Sequence, residues 1–260
     1  MKKSFDYEEK KKKELEWYNS LENQSEKKGF IRKILYSPIF WSNERREYSY
    51  SYGKRRMFDF INRKIDKKVE RLLIAPVGYG DDYGYVKDFA KHIYGIDLSE
   101  KATKYCPKEI SIKIGDILNT EYPNNYFDII VSSLFFHHIV SVGFVPYLNE
   151  FNRILKEGGL FVILDFSKLY PLNAFTKPIK KICQNPFAEI EDEEPFRPKF
   201  LLESLEKTNF VDINWEGANF SHCSIPIPIA KVINFLTEPI INNKFLSRFA
   251  WLVLYSARKN

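Results

Sequence analysis

Cysteine is scarce here: the 260 residues include three, Cys106, Cys183 and Cys223, far apart and with no CxxC pair. A sparse, odd set excludes a disulfide framework and a cysteine zinc site, so reduced thiols in a cytoplasmic setting are expected and no metal. Long apolar runs are missing too. No stretch of about 18 uncharged apolar residues occurs, so no membrane-spanning helix is expected, and the opening Met1 to Lys10 lacks the apolar core of a secretory signal. The charge is basic, 40 Lys and Arg against 34 Asp and Glu. That excess is local: residues 1–70 hold 19 basic and 12 acidic side chains, leaving the rest near neutral. Nucleic-acid binders carry a basic patch on the working face. A surplus gathered in a helix-prone N-terminal stretch reads first as a solvated helix face, and nucleic acid is not expected as a partner. Apolar residues make up 44%, enough for a substantial core, which excludes disorder of the whole chain.

Along the chain, residues 1–28 are charged and helix-prone and are expected as a frayed or loosely docked helix. Residues 30–41 are apolar and aromatic, broken by Pro38. Asn43 to Lys68 predicts a helix, with Tyr52, Met57, Phe60, Ile61 and Ile65 as its approximate apolar stripe. Short apolar runs then alternate with helical segments. Strands are predicted at Arg71–Val77, His92–Ile96, Ile110–Ile114, Phe127–Ser132 and Leu160–Leu164. Helices are predicted at Asp82–Lys91, after an N-cap at Ser99, and at Val142–Lys156, the last stopped by Gly158-Gly159. Strands apolar on both faces and spaced by helices predict an α/β fold with a parallel sheet covered on both sides. After Asp165 the rhythm breaks into a long segment rich in proline and aromatics, the composition of a lid or binding element. A helix at Lys199–Thr208 and two closing strands, Val211–Trp215 and Ala250–Ala257, flank an apolar, proline-punctuated helical excursion at Ile225–Leu246. The domain reading is an N-terminal helical cap over 1–68 and a catalytic domain over 69–260, with lid insertions at about 166–198 and 225–248.

Chemistry concentrates where the strands end. Leu72 to Gly80 reads LLIAPVGYG: a strand, a Gly-x-Gly loop, then a helix. Glycine lets backbone approach a ligand where a Cβ would block it, and the opening N–H groups of the helix offer donors to a carboxylate or phosphate. Asp97, 17 residues beyond Gly80, ends the second strand, where a carboxylate can take both hydroxyls of a ribose. Gly115-Asp116-Ile117 ends the third strand, with Asp116 suited to an adenine amino group and Ile117 to the ring face. The fourth strand ends in Ser132-Ser133, followed by Leu134-Phe135-Phe136-His137-His138, and LNEFNRILKEGG leads into LFVILDFS. A dinucleotide-binding Gly-x-Gly-x-x-Gly is excluded, because position 83 is Tyr83.

In this order the pieces resemble the class I S-adenosylmethionine-dependent methyltransferase family, in its small-molecule branch with a methyltransferase-domain 11-like pattern, over about Leu72 to Phe166. The LDFS segment with Pro171-Leu172 is weakly similar to quinone C-methyltransferases. The resemblance implies a Rossmann-like seven-stranded, mostly parallel sheet in the order 3-2-1-4-5-7-6 with strand seven antiparallel. It implies S-adenosylmethionine as cofactor and S-adenosylhomocysteine as product. Pro76, Val77, Gly78, Tyr79 and Gly80 would hold the methionine end, Asp97 with Leu98 the ribose, and Asp116 with Ile117 the adenine. Ser132 and Ser133 would flank the methyl group, above a floor of Leu134 to His138. One departure stands out: the family's acidic residue, two positions before its first loop glycine, is here Ile74, and that glycine is Pro76. Asp81 or Asp82 is the through-space substitute for the lost partner of the methionine amino group.

A hydroxyl or carbon acceptor needs a base, and a neutral histidine suits that near pH 7. His137 and His138 are the candidates, expected to point about 100° apart on a helix so that one faces the acceptor. His92 and His222 have no comparable context. Tyr79, Tyr83 and Phe135 are candidate rings for the sulfonium, with core packing as the alternative. The absence of Asn/Asp-Pro-Pro-aromatic after strand four disfavours amino-directed DNA and glutamine methylation. A Pro-Cys base-methylating arrangement is disfavoured because Cys106 precedes Pro107 and is expected far from the site. Transfer to a small-molecule or lipid-linked acceptor, by O- or C-methylation, is the leading expectation. Peripheral membrane contact through the Ile225–Phe249 stretch is a second expectation. The alternative is a non-catalytic protein of this fold that scaffolds a protein or RNA partner.

Overall fold

β1 (Val69–Ile74) shows why the sheet lies inside the molecule: Leu72, Leu73 and Ile74 point alternately to opposite faces, yet all are fully buried. The computed structural model describes residues 8, 10–13, 16, 42–174 and 194–260. Within them β2 (Ala90–Asp97), β3 (Ile110–Ile114), β4 (Phe127–Ser133), β5 (Leu155–Phe166), β6 (Phe210–Asn219) and β7 (Leu252–Lys259) join β1 in one sheet, ordered β3-β2-β1-β4-β5-β7-β6. The first five strands pair in parallel, and β7 runs antiparallel between β5 and β6. The fold class and strand order are those expected from the sequence.

Helices α1 (Asn43–Asn62), α2 (Tyr83–Val86), α3 (Glu100–Thr103), α4 (Val145–Ile154), α5 (Pro198–Lys207), α6 (Ile227–Thr237) and α7 (Lys244–Ser247), with three short 3-10 turns, complete the described elements. One face of the sheet packs Leu72, Ile74, Val131, Val162 and Leu254 against Met57, Phe60 and Ile61 of α1. The other packs Leu73, Ile130 and Phe161 against α4 and α5 through Leu148, Phe151 and Leu201. Each such side chain contributes roughly 1.5–3 kcal/mol by leaving water. α1 approaches β7 closely at Gly53, where a Cβ would lie 2.7 Å from Leu252 Cδ1. α1 thus contributes Met57, Phe60 and Ile61 to the core layer on that face.

Three elements differ from their sequence reading. The helix expected over Asp82–Lys91 shrinks to α2, because Val69 N–H bonds to Phe89 O and Ala90 pairs with Val69 to begin β2. The helix expected to run to Lys156 ends at Ile154, because Leu155 turns extended to pair with Phe127; Gly158 and Gly159 lie inside β5. Strand pairing overrides local helix preference in both. The excursion at Ile225–Leu246 divides into α6, a 3-10 turn at Glu238–Ile240, and α7. Most of the segments read at 1–28, 30–41 and 166–198 falls outside the described residues; so does Cys183. Of the expected frayed or loosely docked helix, Lys10 is buried and Lys11 Nζ sits 2.9 Å from Asp116 Oδ2, while Glu8, Lys12 and Glu16 are exposed.

Candidate active site

β1 to β4 end at one edge of the sheet, and the strand order reverses between β1 and β4, which is where open α/β sheets take their ligands. The chain leaves β1 through a cis Ala75–Pro76 bond, and Val77 packs beneath. Gly78 and Gly80 adopt φ of +51° and +80°, conformations that tax any L side chain. Their surroundings differ. A Cβ on Gly80 would strike Pro107 Cδ at 2.6 Å, whereas one on Gly78 meets nothing within 4 Å. Gly80 is glycine for packing below the loop; Gly78 faces open space above it. Tyr79 between them is exposed, its ring 5.9 Å from that of Tyr105.

Asp97 ties this loop to β2. Its Oδ2 accepts from Gly78 N–H at 2.8 Å and its Oδ1 from Ser99 N–H at 2.9 Å. Asp97 is only 3% exposed, and charge-assisted bonds of this kind offset the burial of its carboxylate. Leu98 follows, half-buried, and Ser99 Oγ caps α3 by accepting from Ala102 N–H. α3 returns the chain beneath the loop, where Cys106 Sγ donates to Gly78 O at 3.3 Å. Cys106 is thus beside the site rather than far from it, because α3 lasts a single turn. It is no thiolate: burial, then the charges of Asp97 and Asp81, push its thiol up to about 11.

Asp116 caps a 3-10 turn, Oδ1 accepting from Leu118 N–H at 2.9 Å, while Oδ2 takes Lys11. Ile117 beside it is buried. The loop is held from below by Glu150 of α4, which accepts from Thr120 N–H and Oγ1 at 2.9 and 2.6 Å and pairs with Arg153. Burial alone would raise the Glu150 carboxyl, but the Arg153 and Thr120 bonds outweigh it and hold it below the ordinary value.

At the end of β4, Ser132 is fully buried and its Oγ has no hydrogen-bond partner among the described residues, a polar atom left for something else to satisfy. Ser133 Oγ lies 3.5 Å from Met57 Sδ. Leu134 then takes φ +54°, a backbone state that costs a bulky residue about 1–3 kcal/mol and concentrates at functional turns.

His137 and His138 sit on the next 3-10 turn. The expectation that they diverge does not hold: their rings lie 4.2 Å apart, tilted by 40°. Asp165, fully buried near the end of β5, distinguishes them. Its Oδ1 lies 2.8 Å from His137 Nδ1, and Oδ2 accepts from His137 N–H at 3.3 Å. The His137 ring packs edge-on against Phe166 at 4.7 Å, and Phe166, Tyr50, Trp251 and His222 continue as an aromatic cluster along the same edge. Burial first, then the Asp165 charge, pushes the Tyr255 phenol well up, so it stays neutral.

Several of these residues are silent in the sequence. Asp165 reads as the end of a strand, and its role depends on a histidine 28 positions away. Lys54 gives no signal either, yet its Nζ reaches Asp82 Oδ1 at 2.9 Å, both nearly buried, just past the glycine loop. That ion pair raises the Lys54 ammonium against a burial that would lower it. Ile74, where an acidic residue was missed, is fully buried in the core. Phe135 packs on Tyr147 and Phe136, and Tyr83 packs against the core under α1. His92 lies on the surface near Glu70.

Residues 75–163 match the methyltransferase-domain family model. An uncharacterized methyltransferase of Bacillus cereus is 28% identical over 139 residues; the match covers 52% of this chain and 65% of that relative's length. A SAM-dependent methyltransferase from Thermotoga maritima superimposes with a TM-score of 0.59 at 15% identity, over 84% of this chain and 94% of that one. Geranyl diphosphate C-methyltransferase from Streptomyces coelicolor, solved with geranyl diphosphate and S-adenosylhomocysteine, gives 0.55 at 15% identity, over 82% and 84%.

Proposed function

We propose, from the premise that this chain is a member of the class I S-adenosylmethionine-dependent methyltransferase family, that it transfers a methyl group to a small-molecule or lipid-like acceptor. The observation that carries this reading is that Gly78, Asp97, Asp116 and Ser132 each lie at or just past the carboxyl end of one of four adjacent parallel strands, at the sheet's switch point. The residues fit the cofactor. Among the described residues, nothing stands within 4 Å of where a Cβ on Gly78 would sit, a cradle that such a Cβ would fill, and the buried Ser132 hydroxyl has no partner. Asp97 suits the ribose hydroxyls, Asp116 and Ile117 the adenine. The Lys54–Asp82 pair offers both charges for an amino-acid tail beside the loop, in place of the carboxylate that Ile74 lacks. Lys11 must share or release Asp116 as adenine enters.

S-adenosylmethionine supplies, when bound, an electrophilic methyl on a sulfonium. The protein's part is to hold the acceptor in line, and orientation alone is worth about 7–11 kcal/mol. Asp165 fixes His137 through Nδ1, which leaves Nε2 as the nitrogen that takes the acceptor's proton. The aromatic cluster excludes water beside it. Geranyl diphosphate C-methyltransferase, solved with geranyl diphosphate, shows that this fold can take an acceptor of that kind.

Calorimetric titration with S-adenosylmethionine tests the reading. Micromolar binding is expected; silence at millimolar ligand would replace it with the scaffold alternative. Gly78→Ala refines the test. The protein has room for that methyl, so the cost to stability is about 1–2 kcal/mol from the positive φ. Cofactor affinity should fall further than the melting temperature suggests, since the methyl fills the cradle. Equal binding by the variant would remove Gly78 from the site.

A further inference from the structure

α6 is built inside out. Its inward side chains are Ala230 and the polar Asn234, whereas Ile229, Val232, Phe235 and Leu236 are each more than half exposed, Phe235 at 78%. At 100° per residue these four, with the exposed Pro228, sweep one continuous solvent-facing arc, bounded on one side by Lys231. Phe245 of α7 is also exposed, and the Arg248 guanidinium lies over its ring at 4.2 Å. An apolar face of this extent on a helix otherwise tied down marks an interaction surface rather than scattered exposure.

The charges say what covers it. Between Ile225 and Phe249 the cations are Lys231, Lys244 and Arg248, and the only carboxylate is Glu238, whose Oε1 is neutralised by Arg56 at 2.7 Å. Apolar side chains in the middle, with cations at the rim that have no carboxylate partner among the described residues, match the interface of an anionic bilayer, where rings enter the acyl boundary and cations meet lipid phosphates. We propose that α6 and α7 seat this protein peripherally on anionic membranes. No helix among the described residues is long and apolar enough to cross one, so the contact is interfacial. It stands independently of the methyl-transfer reading, since it uses no residue of the crevice.

Flotation of the full chain with phosphatidylcholine vesicles, with and without phosphatidylglycerol, tests the proposal. The chain should float with the anionic vesicles, less so in high salt and poorly with phosphatidylcholine alone. Phe235→Asp with Leu236→Asp should cut binding by about tenfold or more, the effect of losing a large side chain's burial, while leaving the melting temperature intact because both side chains are exposed. Lys231→Glu with Lys244→Glu, which cannot disturb packing, should remove the preference for phosphatidylglycerol. Absence of flotation would overturn the proposal. So would flotation indifferent to both double variants, or a dimer in light scattering that the aspartates dissolve without any vesicle binding.

Discussion

Asp97→Ala should lower affinity for S-adenosylmethionine by about 100-fold or more, the largest effect of any single change at the cofactor crevice. Two contributions add. A ribose would lose its carboxylate partner, and bonds to a charged group are each worth about 1.5–3 kcal/mol. The loop would also lose its tie, because Asp97 Oδ2 accepts from Gly78 N–H and Oδ1 from Ser99 N–H. The second contribution appears in a melting curve without ligand, as a destabilisation of about 1–3 kcal/mol. Asp97→Asn separates the two, because the amide keeps the shape and one acceptor but not the charge. Calorimetry on both variants, with circular dichroism as the check on folding, gives the answer. Affinity unchanged in both would take Asp97 out of cofactor binding and leave it a loop anchor.

His137→Ala should lower kcat by about 10²-fold to 10⁴-fold with little change in cofactor affinity. Asp165→Asn should follow the same pattern with a smaller loss, because it leaves the ring in place but unsettles which nitrogen carries the proton. His138→Ala should be near neutral in kcat, since the buried carboxylate is directed at its neighbour. The assay is S-adenosylhomocysteine release with an acceptor that the unaltered protein turns over. Added imidazole should partly restore His137→Ala, a response that a purely structural histidine would not give. Full turnover by His137→Ala, or a loss in His138→Ala alone, would move the base elsewhere.

Much of the architecture was legible because it rests on local chemistry. Strands such as Phe127–Ser133 announce themselves by apolar runs and Ile110–Ile114 by alternating isoleucines, and Ser99 by its capping side chain. The Gly-x-Gly loop, Asp97 and Asp116 are readable because each must follow a strand end. What was hidden depends on contacts between distant segments. Phe127 extracts Leu155 from a helix whose own residues favour continuation. Asp165 acquires meaning only when β5 sets it beside His137, and Lys54 only when α1 crosses to Asp82. Cys106 reads as remote in the sequence because a one-turn α3 cannot be told from a longer helix by pattern alone. The outward apolar arc of α6 was equally ambiguous, since an apolar helix reads the same whether its greasy face is buried or not.

The central claim is that one crevice at the carboxyl ends of β1, β2, β3 and β4 takes the cofactor. A crystal structure of the protein soaked with S-adenosylhomocysteine tests it most directly. The account expects density with the ribose hydroxyls on Asp97, adenine between Asp116 and Ile117, and the amino-acid tail over Gly78. A saturating soak that leaves the crevice filled by Lys11 and its neighbours, or that puts the nucleoside on another part of the chain, would contradict it.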